Sequence, residues 1–160
     1  ESAQSQQSRQ GEATALLHLA FAYEGLQIWA AAADAYCQAH QLYQRLDIAP
    51  SRLEAEAGLT RLALAQGHLV DARGWAEQIL TSLPQQANIG LYEPFGIYST
   101  LYHVLAANAD PRAATVLQQG YDLLQQVAAP LDEATRQRFL TAVPVNRRLV
   151  AAYLAWQTRT

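Results

Sequence analysis

From Glu12 onward, apolar residues recur at the spacing of a helix rather than a strand. Ala13, Leu16, Leu19, Ala20 and Tyr23 mark one face of a first helix, which Gly25 ends. A second helix runs from about Ile28 to Leu46, with Trp29, Ala32, Tyr36, Ala39 and Tyr43 on one stripe. Asp47 to Pro50 reads as a turn. Ser51, with Glu54 three residues on, has the form of a capping box opening a third helix that lasts to about Gln66. Gly67-His68 forms the next turn, and a fourth helix ends near Leu83-Pro84. Gln85 to Leu91 is the longest connection. Glu93-Pro94 opens a fifth helix, since proline is tolerated in a first turn, and it runs to about Ala107. Asn108 to Asp110 is a turn, and a sixth helix lies between Pro111 and Pro130. Asp132 caps a short seventh helix to about Ala142, and an eighth starts at Pro144 and carries Leu149, Val150, Tyr153 and Trp156. No stretch alternates apolar and polar residues between turn signals, so strands have no support. Residues 1–11 are polar and aperiodic and read as a flexible lead-in or the remnant of a preceding helix.

Short turns make neighbouring helices antiparallel, and an internal repeat suggests that they stack. Large residues at Leu16, Leu19, Tyr23, Trp29 and Tyr36 are interleaved with small ones at Ala20, Ala32 and Ala39, where helices must approach closely. About 40 residues later the pattern returns as Leu59, Ala63, Gly67, Leu69, Ala72, Ala76 and Ile79, closed by Pro84. A weaker third copy places Leu101, Leu105, Ala109, Ala114 and Tyr121 at similar offsets. This pattern resembles the tetratricopeptide repeat, although its period is longer than that family's ~34 residues and also admits a HEAT-like array. The resemblance implies an all-α, right-handed α-α superhelix of about four hairpins (12–46, 51–84, 92–129, 132–157) in a single domain over 12–160.

The run AEAGLTRLALAQGHLVDARGWAEQIL is similar to repeats at the C-terminal end of large bacterial signalling proteins. Those proteins join a nucleotide-cyclase or DNA-binding head, an ATPase of the STAND class and a helical-repeat tail. YEPFGIYSTLYHVLAANADPRAATVL and DEATRQRFLTAVPVNRRLVAAY look like the last hairpins of such a tail. What the resemblance implies is a cytoplasmic, non-catalytic module that binds a protein or peptide, or neighbouring domains of its own parent chain. Small-molecule sensing and homo-oligomerisation are the rival readings.

Composition agrees with a helical, folded domain. Hydrophobic residues make up 51% of the 160 residues and charged ones 16%, too apolar and too weakly charged for a disordered tail. The net charge is −3 and every one of the 11 basic residues is arginine, so the clustered positive charge that nucleic acid requires is weak. Apolar runs such as Ile28 to Ala33 are too short to span a bilayer, and no signal-peptide pattern appears. The lone Cys37 cannot form an internal disulfide. The absence of methionine, position 1 included, suggests a fragment of a longer chain.

Motif chemistry is sparse. A P-loop needs a lysine, and GxGxxG, HExxH and GxSxG are absent. His18, His40, His68 and His103 are too dispersed for a local metal motif, and neither metal nor cofactor is implied. Cys37 and His40 lie three apart on one helix and could form a nucleophile–base pair. The plainer reading is a packed thiol beside a surface imidazole. Arg136, Arg138, Arg147 and Arg148 form either an anion patch or a solvated face with local pairs to Asp132 and Glu133. Leu149, Val150, Tyr153 and Trp156 either cap the core or leave a strip for self-association.

In a stack of such hairpins the first helix of each pair lines the inner curve. That places Thr14, Leu17, Phe21 and Glu24, then Ala57, Arg61 and Leu64, then Ser99, His103 and Ala106 along a groove. Phe21 would be an aromatic anchor, while Glu24 and Arg61 resist unpaired burial.

Overall fold

The computed structural model describes residues 3–86, 91 and 93–158. Among them every regular element is an α-helix, and no strand occurs. The chain forms two compact units, Glu1–Tyr92 and Glu93–Thr160, where the sequence suggested one array.

The first unit contains α1 (Ala3–Gly25), α2 (Trp29–Arg45), α3 (Ala49–Ala65) and α4 (Leu69–Gln86). The segment read as a flexible lead-in is helical from Ala3, and α1 buries nothing before Ala13. Each of the three turns between these helices is closed by one residue in the left-handed region: Gln27 (φ 59°), Asp47 (56°) and Gly67 (75°), spaced twenty residues apart. The N–H of the following residue returns to a carbonyl five back: Ile28 to Tyr23 (2.9 Å), Ile48 to Tyr43 (3.0 Å) and His68 to Ala63 (2.9 Å). This is the Schellman arrangement, which satisfies helix-end carbonyls and reverses the chain within two or three residues. α1 ends at Gly25, as the sequence suggested. The tight closure corrects one expectation: α3 starts at Ala49 with Pro50 in its first turn, so Ser51 does not cap it.

The twenty-residue turn spacing fixes a forty-residue packing register. Ala13, Leu17 and Ala20 of α1 are buried, as are Leu53, Ala57 and Thr60 of α3. Ala32, Tyr36, Ala39 and Tyr43 of α2 are buried, as are Ala72, Ala76, Ile79 and Leu83 of α4. Large and small exchange between copies: Ala13 becomes Leu53, Leu17 becomes Ala57, Tyr36 becomes Ala76. Occupancy is conserved while volume moves from one helix to its neighbour, as dense packing requires. Leu19 departs from the register, being exposed rather than in the core.

The second unit contains α5 (Pro94–Ala107), α6 (Arg112–Ala128), α7 (Glu133–Thr141) and α8 (Pro144–Gln157). Ala109 closes the α5–α6 turn at φ 52°, with Asp110 N–H returning to Leu105 O at 2.8 Å. It is an exposed residue within the Asn108–Asp110 turn that the sequence suggested. Asp132 caps α7, accepting from Thr135 N at 3.0 Å, yet α7 buries no residue. The stripe on α8 turns inward: Leu149 and Tyr153 are buried with Leu117 and Leu124 of α6, and Trp156 packs against them. Tyr121 stacks on Tyr153 with ring centroids 3.8 Å apart.

Candidate functional site

Two polar constellations stand out in the first unit. One ties three helices together. Glu24, in the last turn of α1, receives both arms of Arg61 from α3: Nε to Oε1 at 2.6 Å and Nη2 to Oε2 at 2.8 Å. The Tyr36 hydroxyl of α2 donates to the same carboxylate and accepts from Arg61 Nη2 at 3.2 Å. Phe21 meets the Tyr36 ring edge-on at 5.7 Å. Gly58 makes room for that ring, since a Cβ there would lie 2.2 Å from its Cζ. Burial pushes the Glu24 carboxyl up, but the hydrogen bonds and charge of Arg61, with the Tyr36 hydroxyl, outweigh it and hold the group below the ordinary glutamate range. Burial raises the Tyr36 phenol far above its usual value, with Arg61 opposing and Glu24 reinforcing, so it remains a donor.

The residues expected along a groove lie in several settings. Phe21, Glu24 and Arg61 come together in this knot, Leu17 and Ala57 lie in the core, and Leu64 is half-buried on α3. Thr14 accepts from the Tyr43 hydroxyl at 3.1 Å. In the second unit Ser99 is buried in α5, whereas His103 and Ala106 are exposed. His103 Nδ1 lies 2.6 Å from the Ser99 carbonyl, which can only accept, so that nitrogen carries a proton.

The second constellation lines a furrow. The α2 and α4 backbones both pack on α3, but no Cα of one lies within 8 Å of the other. One half of the gap, a cleft of about 390 Å³, is largely apolar, with Ala33, Leu59, Leu62, Val70 and Trp75 on its walls. The other half, about 260 Å³, is polar, lined by His40, Gln44, Arg52, Glu56, Thr81 and Ser82. Gln78 borders both. His40 and Trp75 bridge the waist edge-on at 5.4 Å. On the floor, Glu56 is buried, with Oε1 at 3.1 Å from His40 Nε2 and 3.5 Å from Arg52 Nε. Glu56 Oε2 and Arg52 Nε each lack a hydrogen-bond partner. A buried acceptor and a buried donor left open beside each other are costly in a folded protein.

This furrow escaped sequence reasoning because its residues come from three helices. The available signal was the replacement of Leu16 by Glu56 and of Glu12 by Arg52 at a spacing of forty. His40 faces Glu56 and Trp75. Burial, reinforced by Asp34, pushes the Cys37 thiol up, which disfavours a thiolate nucleophile. Among the described residues no group of His, Cys, Asp and Glu is placed to hold a metal, and no helix is long and apolar enough to cross a membrane.

The basic cluster near the chain end is also divided. Arg136 pairs with Glu133 at 3.4 Å and donates to the carbonyls of Ala128, Ala129 and Leu131, closing the end of α6. Arg138, Arg147 and Arg148 are exposed. Compared with known proteins, the chain matches no protein-family profile, no curated protein and no solved structure.

Proposed function

We propose that this chain is a non-catalytic protein-interaction module of tetratricopeptide-like character, which takes a peptide in the furrow between α2 and α4. The observation that carries the reading is the two-part lining of that furrow. An apolar floor with Trp75 suits a buried anchor side chain, and the adjoining Arg52, Gln44 and Gln78 suit main-chain or carboxylate oxygens. The gap between the two backbones favours an elongated ligand over a small enclosed inducer. On the resemblance described above, the module is a cytoplasmic regulatory tail of a larger bacterial signalling or transcriptional protein, and the peptide belongs to a partner or to a neighbouring domain.

Peptides selected from a random displayed library against the full chain, then titrated calorimetrically, test this. Gln78 is exposed, so Gln78→Trp fills the furrow without disturbing the core and should weaken the selected peptides at least tenfold. Arg52→Gln should weaken those that carry a carboxylate. Selected peptides whose affinity is unchanged by both substitutions would remove the furrow as the site.

A further inference from the structure

The polar half of the furrow contains a pair that the helix stack does not require. Forty residues before Glu56, the same position on α1 holds Leu16, which packs against the core of the first unit. An apolar side chain therefore serves that position in the register. Apolar residues in place of a buried ion pair are often as stable or more so, and packing gives no reason for the exchange. Nor do Glu56 and Arg52 satisfy each other. Glu56 Oε1 has His40 Nε2 at 3.1 Å and Arg52 Nε at 3.5 Å. Glu56 Oε2 and Arg52 Nε are both buried and have no hydrogen-bond partner, and the Glu56 side chain is only 4% exposed. The rest of the lining includes the neutral Gln44, Gln78, Thr81 and Ser82. At about 260 Å³ the cleft falls below the roughly 300–1,000 Å³ of pockets that enclose a whole ligand, and it suits a single side chain.

We infer that the polar half of the furrow is a subsite for a primary carboxamide: the asparagine or glutamine side chain of a peptide lying in the furrow. The inference rests on the furrow as the peptide site, and names the side chain that its polar half selects. A carboxamide carries N–H donors and a C=O acceptor on one planar group, without net charge. One N–H suits Glu56 Oε2 and the C=O suits Arg52 Nε. Both side chains line the cleft, and a turn of the Arg52 side chain, 24% exposed, brings their open atoms within reach of a group that enters. Gln44 and Ser82 offer acceptors for the second N–H. A charged group of either sign fares worse. Arg52 alone would take a carboxylate, but that group also faces the charge of Glu56. An ammonium that satisfies Glu56 faces Arg52 instead, and screening by water is weak where both are largely buried. A trans peptide group points its N–H and C=O in opposite directions, so one backbone amide satisfies one of the two atoms and not both.

The test starts from peptides selected on the full chain and sorts them by Gln78→Trp; those it weakens are the furrow ligands. Each should carry an asparagine or glutamine whose replacement by aspartate or glutamate weakens binding at least tenfold in calorimetry, as should replacement by lysine. Glu56→Gln in the protein removes the charge that opposes a carboxylate, and should reverse the preference in favour of the acidic version. Arg52→Met removes the charge that opposes an ammonium, and should reverse it in favour of the lysine version. A pair that served only the fold would weaken all versions alike. Circular dichroism shows whether each variant is folded, and the replacements within the peptide decide the matter without either variant. Furrow ligands that lack asparagine and glutamine, or that bind as well with the acidic residue, overturn the inference and leave the furrow as the peptide site. If no selected peptide responds to Gln78→Trp, the furrow and this subsite fall together.

Discussion

The two units solve helix packing by different means. In the first, four helices of 17 to 23 residues nest through small side chains that return every forty positions, with Ala32 and Ala72, and Ala20 and Thr60, fully buried at matching positions. In the second, three of the four helices are shorter, α7 buries nothing, and rings pack around an aliphatic core that includes Leu117, Leu124 and Leu149: Tyr121 on Tyr153, Phe95 against Phe139, and Tyr98 over Gly120. A repeat of small residues specifies a register that can be continued by another helix. Aromatic packing specifies one closed arrangement. The difference teaches how each unit is specified: the first by a register of small residues, the second by an arrangement in which the stripe of α8 is turned inward.

The largest effects should come from the two glycines that seat tyrosines. Gly58→Ala would set a Cβ 2.2 Å from the fully buried Tyr36 ring, and should destabilise by about 3 kcal/mol. Gly120→Ala would set one 2.7 Å from Tyr98 Cβ, and should cost about 2 kcal/mol. Urea unfolding followed by helical circular dichroism measures both. If either is neutral, its tyrosine is not wedged as described.

Next comes the knot of the first unit. Glu24→Ala leaves the guanidinium of Arg61, 31% exposed, without its carboxylate, and should cost about 2 kcal/mol, between the values for exposed and buried pairs. Its pH dependence has a definite sign. The folded-state value of Glu24 is depressed, so its contribution is fully present above the unfolded value and is lost as pH falls through the folded one. The stability gap between wild type and Glu24→Gln should be constant above about pH 5 and shrink below about pH 4. A gap that widens on acidification would contradict the pair. Loss of the Tyr121–Tyr153 stack in Tyr121→Leu should cost about 1 kcal/mol by the same assay.

Smallest are the turn residues. Gln27→Gly and Ala109→Gly relieve a left-handed conformation outside helix interiors, and each should stabilise by ~0.5 kcal/mol. Gly67→Ala should cost ~1 kcal/mol. Opposite signs at these positions, read from melting temperatures, would show that the three turns are not equivalent.

These turns also mark what could be read from sequence. The helices were legible because Ala, Leu and Tyr recur at helical spacing, and Gly67 and Asp132 were legible because their turn or cap chemistry is local. Gln27 was not, since that residue type does not signal a left-handed turn, and at Ala109 the Asn108–Asp110 turn was legible but its left-handed residue was not. Only the interval between Gln27, Asp47 and Gly67 could have found the first. Ser51 has the sequence of a cap, but the closure through Asp47 leaves no room for one there. Arg61 and Glu24 were legible as residues that resist unpaired burial. That they satisfy one another, 37 positions apart, required the register that lays α3 beside α1. The furrow was illegible for the same reason.

The register itself is open to one direct measurement: a stability scan of every position from 12 to 83 by protease resistance of the full chain. Sensitivity over 12–43 should superimpose on 52–83 at a lag of forty, except that Ala15, Leu19 and Ala22 tolerate polar replacement where Ala55, Leu59 and Leu62 do not. A profile with no correlation at that lag, or equal intolerance at both sets of three, would contradict the account.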